Sequence, residues 1–407
     1  MHIGLYSPAW PPSEFPNGVV TYVRTVRTEL LRLGHRVSVF SGHCEPDDSE
    51  RIYRVAVESR WRLWAALERR FGRGWNSEYD LGPRIAQSVM RVHVREPLDV
   101  FEMEESFGWC ADVAAQTRVP LVVKLHGPAF LSSSRLYQST AQHQLQVEVE
   151  GRAMRSVRAV VAPSRSTLMD TANQYPFDRD QLVCIPNPVD LVGHSLVWRP
   201  KARCADELLF VGRFDHQKGG DAVLRAFAKI AASRPRLQLT FAGPDGGIPL
   251  AGSGVQHFAE FVRTHLEPSI AARVRFMGTL PFGEIQRLRL EAAVTIVASR
   301  RESFGYAVAE AMTQGCPIVA FDVAGVNELI VDGDTGLLAP LDDIDALSAR
   351  IERLLDCVNE AAALGARARI AIAASFGVQP VVGRMLELYR RVNCQRPSTL
   401  ETTRSFN

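Results

Sequence analysis

Short apolar runs alternate with amphipathic stretches along the whole chain. Residues 3–6 make a compact apolar run suited to a buried strand. Residues 19–33 then place apolar side chains at three- and four-residue spacing and stop at Gly34, a residue suited to closing a helix. A second strand is predicted at 36–40, and others at 99–101, 121–125, 159–162 and 182–185, with helical segments between most of them. Such alternation predicts parallel sheets covered by helices on both faces. The pattern then restarts: a strand at 207–211, a loop at 212–220, a helix through Ala231, and strands at 237–241, 274–277, 293–298 and 317–321. Two helices, 344–355 and 378–392, finish the fold, and the polar stretch 395–407 is predicted to fray.

The 407 residues exceed one comfortable core, so two domains are expected. Pro186 and Pro188, followed by weakly patterned sequence to about Ala205, mark the linker. The predicted fold class is α/β, with two doubly wound, Rossmann-like domains facing a cleft. Their boundaries are residues 1–190 and 206–375, with a linker at 191–205, a C-terminal helix at 376–394 that turns back toward the first domain, and a flexible tail at 395–407. In such sheets ligands bind beyond the carboxyl ends of the strands, so the chemistry is sought in the loops that follow them.

Composition narrows the partners. A net charge of +2, from 47 basic and 45 acidic residues, is unlike a protein built to wrap nucleic acid. The seven cysteines form no CxxC pair, which disfavours a disulfide framework or a cysteine zinc site and suits a reducing cytoplasm. Residues 1–8 lack the basic and apolar regions of a signal peptide, and no run approaches ~18 consecutive apolar residues, so neither a leader nor a transmembrane helix is expected.

Two constellations carry candidate chemistry. In the loop after the strand at 207–211, Arg213 and Lys218 stand beside Gly212, Gly219 and Gly220 at the start of a helix. Close backbone approach, free N–H groups and two cations suit a diphosphate; two solvated surface cations fit the loop equally well. In the second, Glu302 and Glu310 lie eight positions apart across a strand-to-helix junction. Carboxylates accept from paired sugar hydroxyls. Glu310 sits in an otherwise apolar helical stretch and needs a partner for its charge, either a ribose or a nearby cation in the core.

In order and spacing, Gly212 to Pro340 resembles the retaining glycosyltransferases of family 4, whose architecture of two Rossmann domains is called GT-B. The G-R-x(n)-K-G loop is matched by Gly212, Arg213, Lys218 and Gly219. The Glu-x7-Glu element and its A-M-x-x-G-x-P continuation are matched by Glu302, Glu310, Ala311, Met312, Gly315 and Pro317. A G-x-x-E turn falls at Gly325 and Glu328, and a T/N-G-L-L turn at 335–338. The first half matches more loosely. Of the family's G-G near the first helix only Gly18 is kept, after Asn17; His126-Gly127 ends the strand at 121–125; and Asn187-Pro188 replaces the inter-domain Asn-Gly.

The resemblance implies transfer of a sugar from a nucleoside diphosphate donor, with retention at the anomeric carbon and without a catalytic metal or other cofactor. It assigns Arg213 and Lys218 to the phosphates, Glu310 to the ribose and Glu302 to the sugar hydroxyls. The amides at Phe304, Gly305 and Tyr306 would face the sugar or distal phosphate, Gly18 the donor phosphates or the acceptor, and His126 would close the site from the first, acceptor-side domain. The acceptor would be a glycan, a lipid-linked glycan or another hydroxyl compound, in cell-surface polysaccharide or glycoconjugate synthesis. A nucleotide-sugar epimerase or hydrolase on the same fold, and a non-catalytic sugar-nucleotide-binding protein, are the alternatives. A nicotinamide oxidoreductase is disfavoured, because Pro8-Ala9-Trp10-Pro11-Pro12 stands where GxGxxG would follow the first strand.

One further segment stands out. Residues 51–75 hold seven arginines against Glu58 and Glu68, with Trp61, Trp64, Leu67, Phe71 and Trp75 at helical spacing. This fits an anionic membrane surface, placing the protein peripherally on the inner face, and fits equally a stripe packed on the first sheet with solvated arginines.

Overall fold

The computed structural model describes residues 1–12, 17–55, 81–131, 141–178, 180–193, 196–200, 205–250 and 254–394. The tail at 395–407 and most of the Arg/Trp-rich segment, residues 56–80, lie outside them.

The first half runs β1 (His2–Ala9), α1 (Gly18–Arg32), β2 (Arg36–His43), β3 (Ile52–Arg54), α2 (Leu81–Arg95), β4 (Val100–Glu104), α3 (Cys110–Thr117), β5 (Leu121–Lys124), α4 (Ala141–Met154), β6 (Ala159–Ala162), α5 (Arg165–Gln174) and β7 (Leu182–Cys184). Its strands join in the order β3-β2-β1-β4-β5-β6-β7. Every pairing is parallel, Ile3 lying between Val37 and Val100. Because both faces are covered, β5 and β6 are buried along their whole length, and β6 reads as an unbroken apolar run while Lys124 alone breaks the apolar run of β5. Asn17 caps α1, its side chain accepting from the Val19 N–H at 2.8 Å.

The second half runs β8 (Glu207–Val211), β9 (Phe214–Asp215), α6 (Gly220–Ala231), β10 (Gln238–Ala242), β11 (Asp245–Pro249), β12 (Val255–Gln256), α7 (Phe258–His265), α8 (Pro268–Ala271), β13 (Val274–Gly278), α9 (Phe282–Glu291), β14 (Val294–Val297), α10 (Tyr306–Gln314), β15 (Ile318–Phe321) and β16 (Leu337–Ala339). Its main sheet is again parallel, ordered β13-β10-β8-β14-β15-β16, and β9, β11 and β12 make a small second sheet. In both sheets the strand order reverses beside the first strand of its half, at β1/β4 and at β8/β14. Crevices open at such reversals, and the four loops that follow these strands begin at residues 10, 105, 212 and 298.

The ending differs from the sequence reading. Three helices close the chain, α11 (Ile344–Asp356), α12 (Val358–Phe376) and α13 (Val378–Cys394), not two. The missed helix, α12, buries Ala361, Leu364, Gly365, Ala368 and Ile372. Small residues make up most of that face, so it carries little hydropathy contrast although its spacing is helical. Helix α13 belongs to the core of the first half: Val381, Val382, Met385, Leu386, Leu388, Tyr389 and Val392 pack with Val20, Val23, Val26 and Leu30 of α1. The chain therefore crosses between the halves twice. The crossings are joined where the Val189 N–H donates to the Phe376 carbonyl at 2.9 Å. Between them, Trp198 anchors the connecting segment on the second half, its backbone N–H donating to Gln314 O and its Nε1 to Ala292 O.

The segment at 51–75 also differs where it is described. Ile52–Arg54 is a strand, and the guanidinium of Arg51 binds Glu96 at 2.6 Å while that of Arg54 binds the Cys44 carbonyl and Glu45. Two of the seven arginines thus serve the fold of the first half instead of lining a helix. The aromatic stripe from Trp61 onward lies outside the described residues. Among the described residues, no helix is long and apolar enough to cross a membrane.

Candidate active site

Each loop of the β8/β14 crevice is built by a local turn and then tied to the other. After β8, the Asp215 carboxylate accepts from the Lys218 N–H at 2.6 Å and from Arg213 Nε at 2.7 Å, so one short acid shapes the loop and restrains both cations. Gly219 begins α6 at φ +72°, and a Cβ there would stand 1.9 Å from the Ala298 carbonyl oxygen. Only glycine allows this loop to lie against the end of β14.

From the other side, Arg300 binds Asp221 through two hydrogen bonds of 2.8 and 2.9 Å, and also reaches the His216 carbonyl and Asp342. Burial works to raise the Asp221 carboxyl, but the Arg300 guanidinium outweighs it and holds the acid below its ordinary range. The result is a rigid two-loop frame at the β8/β14 crevice.

Within that frame Lys218 Nζ meets Glu302 Oε1 at 2.6 Å, and the Ser299 hydroxyl donates to the same oxygen at 2.7 Å. Glu302 is 11% exposed and Lys218 29%, so the pair lines the crevice without being sealed in it. Arg213 is more open, its side chain 54% exposed. Glu310 lies one helix turn beyond the loop on α10, and its Oε2 accepts from Nη2 of Arg289 at 2.7 Å. Arg289 is entirely buried. The core-cation reading of Glu310 therefore holds for one of its oxygens, and the side chain keeps 24% of its surface. Phe304 and Tyr306 pack edge to face at 5.1 Å around Gly305. The ring of Tyr306 touches the cores of both halves, and its hydroxyl is enclosed. A Cβ on Gly18 would lie 3.5 Å from that ring, so the start of α1 abuts the start of α10.

The first half supplies a different environment. Backbone N–H groups of His126 and Gly127 donate to the buried Glu105 carboxylate at 3.0 and 2.7 Å, and the imidazole packs edge to face on Tyr22 at 5.1 Å. Burial, helped by the Lys124 ammonium, pushes the His126 pKa down to about 3, so the ring is neutral at physiological pH. Among the described residues, no hydrogen bond or ring contact joins His126 to Arg213, Lys218, Glu302 or Glu310; the structure sets it on the opposite half. Below it, Glu102 accepts from the hydroxyls of Tyr22 at 2.8 Å and Tyr389 at 2.7 Å, and Lys124 Nζ donates to the Ile185 carbonyl at 2.5 Å. Burial raises the Glu102 carboxyl and lowers the Lys124 ammonium.

Sequence reasoning missed Asp215, Arg300, Arg289, Glu105 and the Glu102–Lys124 cluster. Signals existed for some. Asp215 stands inside the Arg213–Lys218 loop, and Glu102 and Lys124 interrupt otherwise apolar strands where an unpaired charge would be costly. Arg289 and Glu105 depend on contacts 21 residues away in the chain, and no local pattern shows those.

A cavity of about 660 Å³ opens elsewhere, at the amino ends of β8 and β10, lined in part by Glu207, Thr240 and Arg275. Arg275 is paired there with Glu207 at 2.8 Å.

Comparison with known proteins agrees with this geometry. Residues 202–371 match the model for glycosyl transferases group 1, and residues 16–192 match that for glycosyltransferase family 4. The chain belongs to this family of glycosyltransferases, and its two parallel-sheet domains have the GT-B architecture. It is 28% identical over 337 residues to a D-inositol 3-phosphate glycosyltransferase of a Nocardioides species, covering 76% of this chain and 71% of that one. Among solved structures it is similar to a sucrose-phosphate synthase from Thermosynechococcus elongatus, with TM-score 0.73, 21% identity, and 97% and 99% of the two chains covered. It is also similar to Anabaena HepE in complex with UDP-glucose, with TM-score 0.69, 17% identity, and 96% and 100% covered.

Proposed function

We propose that this glycosyltransferase moves a hexose from a nucleoside diphosphate sugar to a hydroxyl of a glycan or lipid-linked acceptor, with retention at the anomeric carbon and without a metal ion. The observation that carries the reading is the meeting of Lys218 and Glu302 at 2.6 Å between the two loops of the β8/β14 crevice, with Arg213 on the same loop as Lys218. Two cations there would meet a diphosphate and stabilise the charge it gains on leaving. Glu302, already held by Ser299, would accept from hydroxyls of the sugar. Glu310 would take the ribose through the oxygen that Arg289 does not bind.

In the transfer the bond from the anomeric carbon to the diphosphate oxygen breaks. A bond from the acceptor oxygen forms on the same face, and the acceptor proton passes to the departing phosphate. This front-face course rests on analogy with the family. The neutral His126 would offer a hydrogen bond from the first domain without adding positive charge.

A thermal-shift and turnover screen of UDP-, GDP- and ADP-sugars tests the donor reading. One nucleotide class is expected to raise the Tm in proportion to ligand concentration and to release nucleoside diphosphate. Binding by none of them would sink it.

A further inference from the structure

The first turn of α5, in the acceptor-side domain, is capped from the other domain. Of its leading N–H groups, that of Thr167 is satisfied locally by the Ser164 hydroxyl at 3.1 Å. Those of Arg165 and Ser166 instead donate to Oε2 and Oε1 of Glu328, at 2.7 and 2.8 Å, and the Ser166 hydroxyl adds a third bond to Oε1 at 2.8 Å. A carboxylate suits this place for two reasons. Both of its oxygens accept, and it meets the positive end of the helix dipole.

The turn that carries Glu328 also backs the sugar-facing loop. Gly325 adopts φ +82°, and a Cβ there would lie 2.3 Å from the Glu302 carbonyl oxygen. Leu329 lies against Gly305 from the other side, 3.4 Å from where a Cβ would be. Two further contacts join the same loop to α5: the Thr167 hydroxyl donates to the Ser303 carbonyl at 3.2 Å, and Arg301 pairs with Asp170. Residues 301–305 are thus held between a turn of their own domain and a helix of the other, and Glu328 ties that turn to that helix.

We propose that Glu328 is a positioning residue for sugar transfer: by binding the start of α5 while Gly325 backs Glu302, it keeps the sugar-facing loop in register with the acceptor-side domain. The functional half of this statement rests on the donor reading above; the mechanical half does not.

The test uses the full chain and Glu328→Gln, with Asp343→Ala as a cap variant confined to one domain, since Asp343 caps α11 by accepting from the Ala346 N–H at 2.9 Å. In Glu328→Gln one oxygen is replaced by a donor that opposes an N–H. Hydrogen exchange of peptides covering 163–170 and 298–305 is expected to rise together, about tenfold, although the two lie in different domains. Asp343→Ala should speed exchange at the start of α11 alone. With UDP and UDP-glucose as probes, UDP affinity should stay within about twofold, because the phosphate clamp lies within one domain, while kcat for UDP-glucose turnover falls about tenfold at little-changed KM. Faster exchange limited to 163–170 would make Glu328 an ordinary cap and overturn the proposal. Unchanged kcat with both segments loosened would overturn its positioning role. If the unaltered protein binds neither probe, the nucleotide and sugar nucleotide that raise its Tm in the donor screen replace them, and the exchange result decides the mechanical claim either way.

Discussion

On the β8/β14 side of the cleft the charges stand in pairs: Lys218 with Glu302 and Arg213 with Asp215 are partly open to solvent, while Arg300 with Asp221 is buried in the frame beneath them. At the ends of β4 and β5, across the cleft, the ionisable groups are buried and shifted toward neutrality. Burial, with Glu150 and Glu104 nearby, pushes the Glu105 carboxyl up to about 8, burial brings Glu104 to about 7, and His126 is driven down to about 3. Ion pairs at a surface can be parted by an incoming anion at small cost. Buried groups cannot exchange partners so freely. The second half therefore presents partly open pairs that an anion could part, and the facing half holds a shape with little charge of its own.

Three measurements press on this contrast. The largest effect is expected from Lys218→Ala, which should cut donor turnover by about a hundred- to a thousandfold while barely moving the urea midpoint, because the side chain is partly exposed. Near-normal turnover would remove the clamp assignment. Next, Glu102→Ala strips the hydroxyls of Tyr22 and Tyr389 of their acceptor and leaves the Lys124 ammonium in a fully buried site. A loss of about 3–5 kcal/mol is expected in urea unfolding, and a loss below about 1 kcal/mol would show that water already compensates the cluster.

The smallest effect concerns pH. The folded protein keeps a proton on Glu105 up to about pH 8, whereas an unfolded chain releases it near the ordinary glutamate value of 4.5. The folded state thus binds more protons between these values, and stability falls as pH rises through that window, by up to about 1.4 kcal/mol per pH unit for one such carboxyl. Glu105→Gln should make the slope measured by urea midpoints from pH 5 to pH 8 less negative, leaving the parts due to Glu102, Glu104 and Glu150 and the opposing part from His126 below its ordinary range. An unchanged slope would mean that Glu105 is ionised in the folded protein.

The same contrast explains what was legible in the sequence. The proposed donor site is made by two loops whose side chains are close in number, so the grouping of Arg213 with Lys218 and of Glu302 with Glu310 could be read from order and spacing. Parallel strands buried on both faces gave plain apolar runs, and most were placed to within a residue or two. The acceptor-side features come from distant pairings. Tyr389 reaches Glu102 across 287 residues, and Glu328 reaches Ser166 across 162. A glutamate in a turn and a serine at a helix start each have ordinary local explanations, and only their meeting gives them a further one. The helix α12 was missed for another reason: a face of alanine and glycine packs well but scores as neither polar nor strongly apolar.

The return of α13 to the first domain also sets an order of assembly. The core around α1 lacks Val381, Met385, Tyr389 and Val392 until the second domain has been made. The domain synthesised first is thus the last able to complete its interior. The second, whose own core ends at Ile372, has all its parts while the first is still waiting on the ribosome. Nascent chains arrested near residue 376 should accordingly leave the opening domain open to protease, and protection there at that length would mean that α13 seals an interior already formed.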